Sequence, residues 1–248
     1  MPEAESGKVS MKKNYQLKDL IAKMNAMTKS AVVKDSEGYY QLPTDNNGCG
    51  SAIIRFLPPL PGEDVPVVNM FNHAFRAPSS KWFIDACPTT LNQPCPVCES
   101  NHALWNGPDK NLASLRKRKL YYISNVFVVM DRNMPENEGK VFLYKYGVKI
   151  FGKIKDAITP PFGDVQPFDP FDPEAGANFR LRMTLNGNFP DYDKSSFDAP
   201  SAIGDEDVIA TVLGQRRPLS AIIAPSQFKS YDELKRKFDQ IVGLPKAA

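Results

Sequence analysis

The sequence predicts a mainly β protein with a few helices (α+β), its strands antiparallel and curled into a barrel or sandwich. Two observations carry that prediction. Short apolar runs end at proline or glycine turns, as Ser51–Leu57 does before Pro58-Pro59, which is the pattern of short strands joined by tight connections. The 22 prolines and 15 glycines among 248 residues also argue against a helix bundle. An apolar share of 42% supports a packed core, and the length suits one large domain or a domain with a small insert.

Taken in order, residues 1–14 are polar, with Lys8, Lys12 and Lys13, and read as a basic arm. Residues 16–27 place Leu17, Leu20, Ile21, Met24 and Met27 at helical spacing. Such an amphipathic helix docks either on its own core or on a neighbouring subunit. Strands are expected over 51–57, 65–75 and 81–84, the second delivering His73 and the third running into Cys87. A short helix is expected at 99–105. A long β-rich run over 120–130, a turn at 135–139 and a strand at 140–146 form a hairpin, with Phe142, Tyr144 and Tyr146 on one face. Residues 148–158 predict a helix with Ile150, Phe151, Ile154 and Ile158 on its apolar side. An ordered loop over 159–174 leads to a strand at 177–185 carrying Arg180 and Arg182. A loop at 187–192 follows, whose Phe189 and Tyr192 either cap the core or stack on bases. A helix over 230–242 closes the chain, with Ser230 as N-cap and Gly243 as stop.

Chemistry concentrates between His73 and Cys98. Cys95-Pro96-Val97-Cys98 is a C-x-x-C knuckle, and seven residues separate it from Cys87. Three thiolates with one imidazole make a structural zinc site whose binding energy becomes folding energy. A redox dithiol lacks its strand-to-helix context and leaves Cys87 surplus. No signal peptide precedes the cysteines, so a reducing compartment and metal are expected over disulfides. On spacing alone the fourth ligand is His73, His102 or Cys49.

The second concentration is Arg116-Lys117-Arg118-Lys119, running straight into Leu120-Tyr121-Tyr122. If the strand began at Arg116, residues 116, 118, 120 and 122 would share a face. Either face then mixes cations with a ring, as single-strand binding needs for phosphates and bases. The alternative is a solvated charge run ahead of a core strand. A net charge of +3 is modest, so a nucleic-acid partner depends on where the charge sits. No phosphate-binding G-x-x-x-x-G-K-[ST] loop, G-x-S-x-G elbow or H-E-x-x-H helix occurs, and no enzyme is expected. No apolar run reaches membrane-span length, so a soluble protein is expected.

Taken together, several segments resemble the helix-destabilising single-stranded-DNA-binding proteins of T-even-type bacteriophages. They are residues 52–58, Asn72-His73 followed by Lys81-Trp82, Cys95–Cys98, Lys117–Lys119, 135–142, 174–179 and the helix at Glu233-Leu234. The resemblance implies an OB-fold barrel with a small zinc-binding subdomain at about 68–110, all within a core of residues 29–243. It implies one structural Zn2+ held by His73, Cys87, Cys95 and Cys98. It further implies a DNA cleft with Arg116, Lys117, Arg118 and Lys119 as cations and Trp105, Tyr122, Tyr144, Phe189 and Tyr192 as stacking rings. Residues 1–28 become the arm that drives cooperative binding between neighbouring copies, with Lys8, Lys12 and Lys13 as its cations. Residues 244–248 become the start of an acidic tail, otherwise absent here, that contacts replication and recombination proteins. The implied function is sequence-nonspecific single-stranded-DNA binding in phage replication, recombination and repair, in the cytoplasm of the infected bacterial host. The rival reading is a zinc-containing RNA-binding or translational-regulatory protein.

Overall fold

The structure is a computed structural model and describes residues 38–77 and 80–243. The basic arm with Lys8, Lys12 and Lys13, the amphipathic stretch 16–27 and the tail 244–248 lie outside the described residues.

One long strand organises what is described. β4 (Lys119–Met130) is rich in β-branched and aromatic residues and pairs along both edges. On one edge its first half pairs with β2 (Val68–Arg76) and its second half with β1 (Gly50–Phe56). On the other edge it takes β5 (Val141–Tyr146) as a hairpin partner. β2 extends to the edge strand β3 (Trp82–Ala86), and β1 extends to β6 (Phe179–Asn186). β6 carries two short partners, β7 (Phe189–Asp191) and β8 (Ser196–Phe197). All these pairings are antiparallel, and the sheet curls into a half-barrel.

Alternation along β4 sorts its side chains between two cores. Tyr122, Val126 and Val128 enter one core with Ile54, Phe56, Tyr144, Tyr146 and Phe179. Ile123 enters the other with Met70, Phe75, Phe83 and Val97. The hairpin residues divide the same way, Phe142, Tyr144 and Tyr146 facing the first core and Leu143 the second.

Helices cover the faces. α1 (Pro96–Asn106) begins inside the C-x-x-C knuckle and is followed by α2 (Lys110–Arg116). α3 (Val148–Ile158) buries the expected residues Ile150, Phe151, Ile154 and Ile158. α4 (Glu206–Gly214), N-capped by Asp205, was not anticipated, because its three buried residues Ile209, Val212 and Leu213 make too short a pattern to stand out. α5 (Tyr231–Val242) has the full capping box: Ser230 Oγ accepts from the Glu233 N–H, and the Glu233 carboxylate accepts from the Ser230 N–H. Its Gly243 stop adopts the left-handed conformation that glycine enters without strain. Phe238 of α5 packs edge-on against Phe75 of β2 and Phe83 of β3.

Two sequence expectations need correction. The stretch 187–192 is the turn and return strand of a hairpin, Phe189 pairing with Asn186. The basic run is not continuous strand, because Arg116 ends α2 and strand pairing starts at Lys119. The alternation of Arg116 with Arg118 therefore does not occur. The loop after α3 reaches the fully buried Arg55, whose Nη2 donates to the carbonyl of Asp172 in that loop and to that of Ser201 beyond β8. Gly176 closes that loop, since a Cβ there would lie 2.4 Å from the Asp172 carbonyl oxygen.

Candidate metal centre and nucleic-acid interface

β2 carries His73 in register with Asp85 of β3, and β3 leads directly to Cys87. The knuckle then presents Cys95 at the N-cap of α1 and Cys98 in its first turn. The four donor atoms converge within 4.8 Å of one another. His73 Nε2 is 3.5 Å from Cys95 Sγ and 3.4 Å from Cys98 Sγ, and Cys87 Sγ is 3.4 Å from Cys98 Sγ. Metal–ligand bonds of about 2.0–2.3 Å in a tetrahedron set ligand atoms roughly 3.5 Å apart, so the spacing fits one ion. His102 and Cys49 are not in the cluster. His102 faces Asn106, and Cys49 lies in a turn whose N–H is held by Asp45.

The electrostatics of the cluster fit a cation as well. Hydrogen bonds from Cys95 and Cys98 pull the Cys87 thiol well down, whereas Cys87 and Cys98 push Cys95 well up. One thiolate is favoured and the next is resisted, a conflict that a bound cation removes. Burial works against a charged His73, but Cys87 and Cys98 outweigh it and hold the imidazole up at about 9.

This centre also holds the basic run in place. His73 Nδ1 donates to the carbonyl of Arg116 at 3.1 Å, which fixes Nε2 toward the sulfurs. Arg118 Nη1 donates to Thr89 Oγ1 at 2.6 Å, and that hydroxyl lies 3.1 Å from Cys87 Sγ. The Arg118 guanidinium also covers the Phe71 ring at 4.0 Å. Lys119 sits opposite Asn72, the neighbour of His73. Sequence reasoning did not find Thr89, because a threonine two residues after a cysteine carries no signal of its own.

The expected cleft residues separate into two groups. Lys117, Arg118 and Lys119 are exposed, as are Trp105 on α1 and Phe189 on the β6–β7 hairpin, at 43% and 77% exposure. Tyr192 is partly covered. Arg116 is buried, its guanidinium 5.7 Å from both the Phe75 and Phe238 rings, and burial lowers its pKa. Tyr122 is only 2% exposed and stacks flat on Phe151 of α3 at 3.7 Å between ring centroids. Tyr144 is buried as well, stacked on Tyr146.

The model of the family described as gp32 DNA-binding protein like matches residues 48–242. The chain belongs to this family. The single-stranded DNA-binding protein of Enterobacteria phage T4 is 38% identical over 241 residues, covering 94% of this chain and 78% of that protein. The protein of the same name from Enterobacteria phage T2 matches with the same identity and coverage. In this gp32-like chain the matched span takes in both the Cys/His cluster and the exposed basic run it anchors.

Proposed function

We propose that this gp32-like protein binds single-stranded DNA without sequence preference, in the replication, recombination and repair of a phage genome within the host cytoplasm. The observation that carries the reading is the anchoring of exposed Arg118 to the metal cluster through Thr89, with Lys117 and Lys119 flanking it in solvent. Cations held at fixed positions meet successive phosphates, and exposed rings such as Trp105 and Phe189 stack on bases. Tyr192 contributes from the same hairpin. Arg116, Tyr122 and Tyr144 act from within, as packing beneath the binding surface.

The barrel is an OB-fold, and the metal is one structural zinc held by His73, Cys87, Cys95 and Cys98. Four protein donors complete a tetrahedral shell and leave no open position for a substrate, which favours a binding protein over an enzyme. When bound, zinc supplies a cross-link that ties β2, β3 and α1 together. Residues 1–28 form the arm through which neighbouring copies associate, with Lys8, Lys12 and Lys13 as its cations, ahead of a core at 29–243 with its zinc subdomain at about 68–110. Replication and recombination proteins are the protein's further partners.

Fluorescence titration with oligothymidylate at several salt concentrations tests the reading, on zinc-loaded and on chelated protein. Quenching that fades with salt and weakens without metal is expected. Absence of quenching by zinc-loaded, folded protein at low salt would sink it. Tighter binding of a matched RNA would favour the RNA-binding alternative.

A further inference from the structure

A cleft of about 700 Å³ lies on the β1–β6 face, at the end of β4 remote from the metal centre. Its floor holds Ser51 and Ile53 of β1, which pair with Arg182 and Arg180 of β6. Arg132, just past the end of β4, and Lys194, just before β8, complete a cationic rim. Arg180 is paired with Asp198 at 2.5 Å. Arg132, Arg182 and Lys194 are exposed and have no ion pair among the described residues. Asp45, the acid in the lining, is occupied by its own turn, its Oδ1 accepting the N–H groups of Asn47 and Cys49. Arg132, Arg180, Arg182 and Lys194 outnumber the acids at the cleft, Asp45 in its lining and Asp198 on Arg180, and such a cationic excess around one concavity makes a field that attracts polyanions.

We propose that this cleft is a second phosphate-binding site, which holds the backbone of the same single strand that meets Lys117–Lys119. The inference rests on the single-strand reading above. Guanidinium forks match phosphate oxygens bidentately, and two of the cations facing the cleft free of ion pairs are arginines. The floor lacks aromatic rings, so the site takes backbone and not bases. A stacking ring stands close by: Thr184 lines the cleft and pairs with Asp191, and Phe189 is two residues along the same short strand, exposed to water. That combination favours a nucleic acid over an acidic peptide. The 12 residues of β4 separate the two cationic sites, roughly 36 Å along an extended strand. A strand that touches both sites must therefore be several nucleotides long.

The test compares wild type with the triple variant R132Q/R182Q/K194Q, which alters exposed side chains and should keep the wild-type melting curve. Oligothymidylates of about 4 and about 16 nucleotides, the ends of the range for one OB-fold, serve as probes. With the longer one, log affinity against log salt should become shallower by about 2, from three phosphates at about 0.7 each. The shorter one, which cannot reach both sites, should bind both proteins alike. An unchanged slope with the longer oligomer overturns the proposal. So does an equal loss at both lengths, which would reflect only a weaker general field. Binding of polyglutamate that the triple variant abolishes, with DNA binding untouched, would assign the cleft to acidic peptides instead. Failure of wild type to bind either oligomer would remove the single-strand reading itself, and the cleft with it.

Discussion

Rings of similar chemistry have opposite fates in this chain, and burial decides which. Phe189 stands in water on the β6–β7 hairpin, so Phe189→Ala should cost roughly 1–3 kcal/mol of oligonucleotide affinity. Its melting temperature should stay at the wild-type value, and titration beside thermal melting separates the two effects. Tyr122 lies flat beneath Phe151 in the core, so Tyr122→Ala should instead lower stability by roughly 3–5 kcal/mol, read as a reduced urea midpoint. Thr89 has a third kind of role. Thr89→Val keeps the shape but removes the hydroxyl that joins Arg118 to Cys87. Metal content, measured by a colorimetric zinc assay after denaturation, should remain one per chain. Affinity for oligothymidylate should fall several-fold as Arg118 loses its fixed position.

Among the elements, those with a strong local pattern were readable before the structure. α3 buries the four residues its spacing selects, and α5 starts and stops where its capping residues place it. Removing the N-cap with Ser230→Ala should cost about 1 kcal/mol, detectable by chemical denaturation. What the pattern could not reveal was where a short helix ends against a strand. Arg116 and Arg118 look equivalent in sequence, yet one closes α2 over Phe75 and Phe238 and the other projects from the connection to β4. Burial of Tyr122 and Tyr144 was equally hidden, because it depends on α3 folding back over the hairpin. A separate tie joins α3 to the β6–β7 hairpin: Lys149 reaches Asp191, the last residue of β7, and Asp193, each at 2.8 Å.

Across the whole molecule, the Cys/His cluster was the most legible feature, since C-x-x-C spacing encodes convergence directly. The fourth ligand was not legible from spacing, because only strand pairing carries His73 back to the knuckle while His102 points along its own helix. Metal removal should therefore act on both cores unequally, loosening the one that contains Cys87, Cys95 and Val97. Hydrogen exchange on chelated protein should report faster opening of β2, β3 and α1 than of β1 and β6. Acid should release the metal, because each ligand binds only when deprotonated and protons compete as pH falls. The sulfurs hold the metal-free imidazole up at about 9, so below that pH metal entry must displace its proton. Apparent affinity should thus climb with pH up to that point, which metal titration against a competing chelator would trace. The docking of Phe238 on Phe75 and Phe83 has a consequence for biosynthesis. α5 follows β3 by more than a hundred residues, so on the ribosome β2 and β3 emerge long before the helix that shields them. Until the segment at 231–242 leaves the exit tunnel, the stacked Phe75 and Phe83 rings lack the edge-on cover of Phe238, and the nascent chain carries its Cys/His module without that lid.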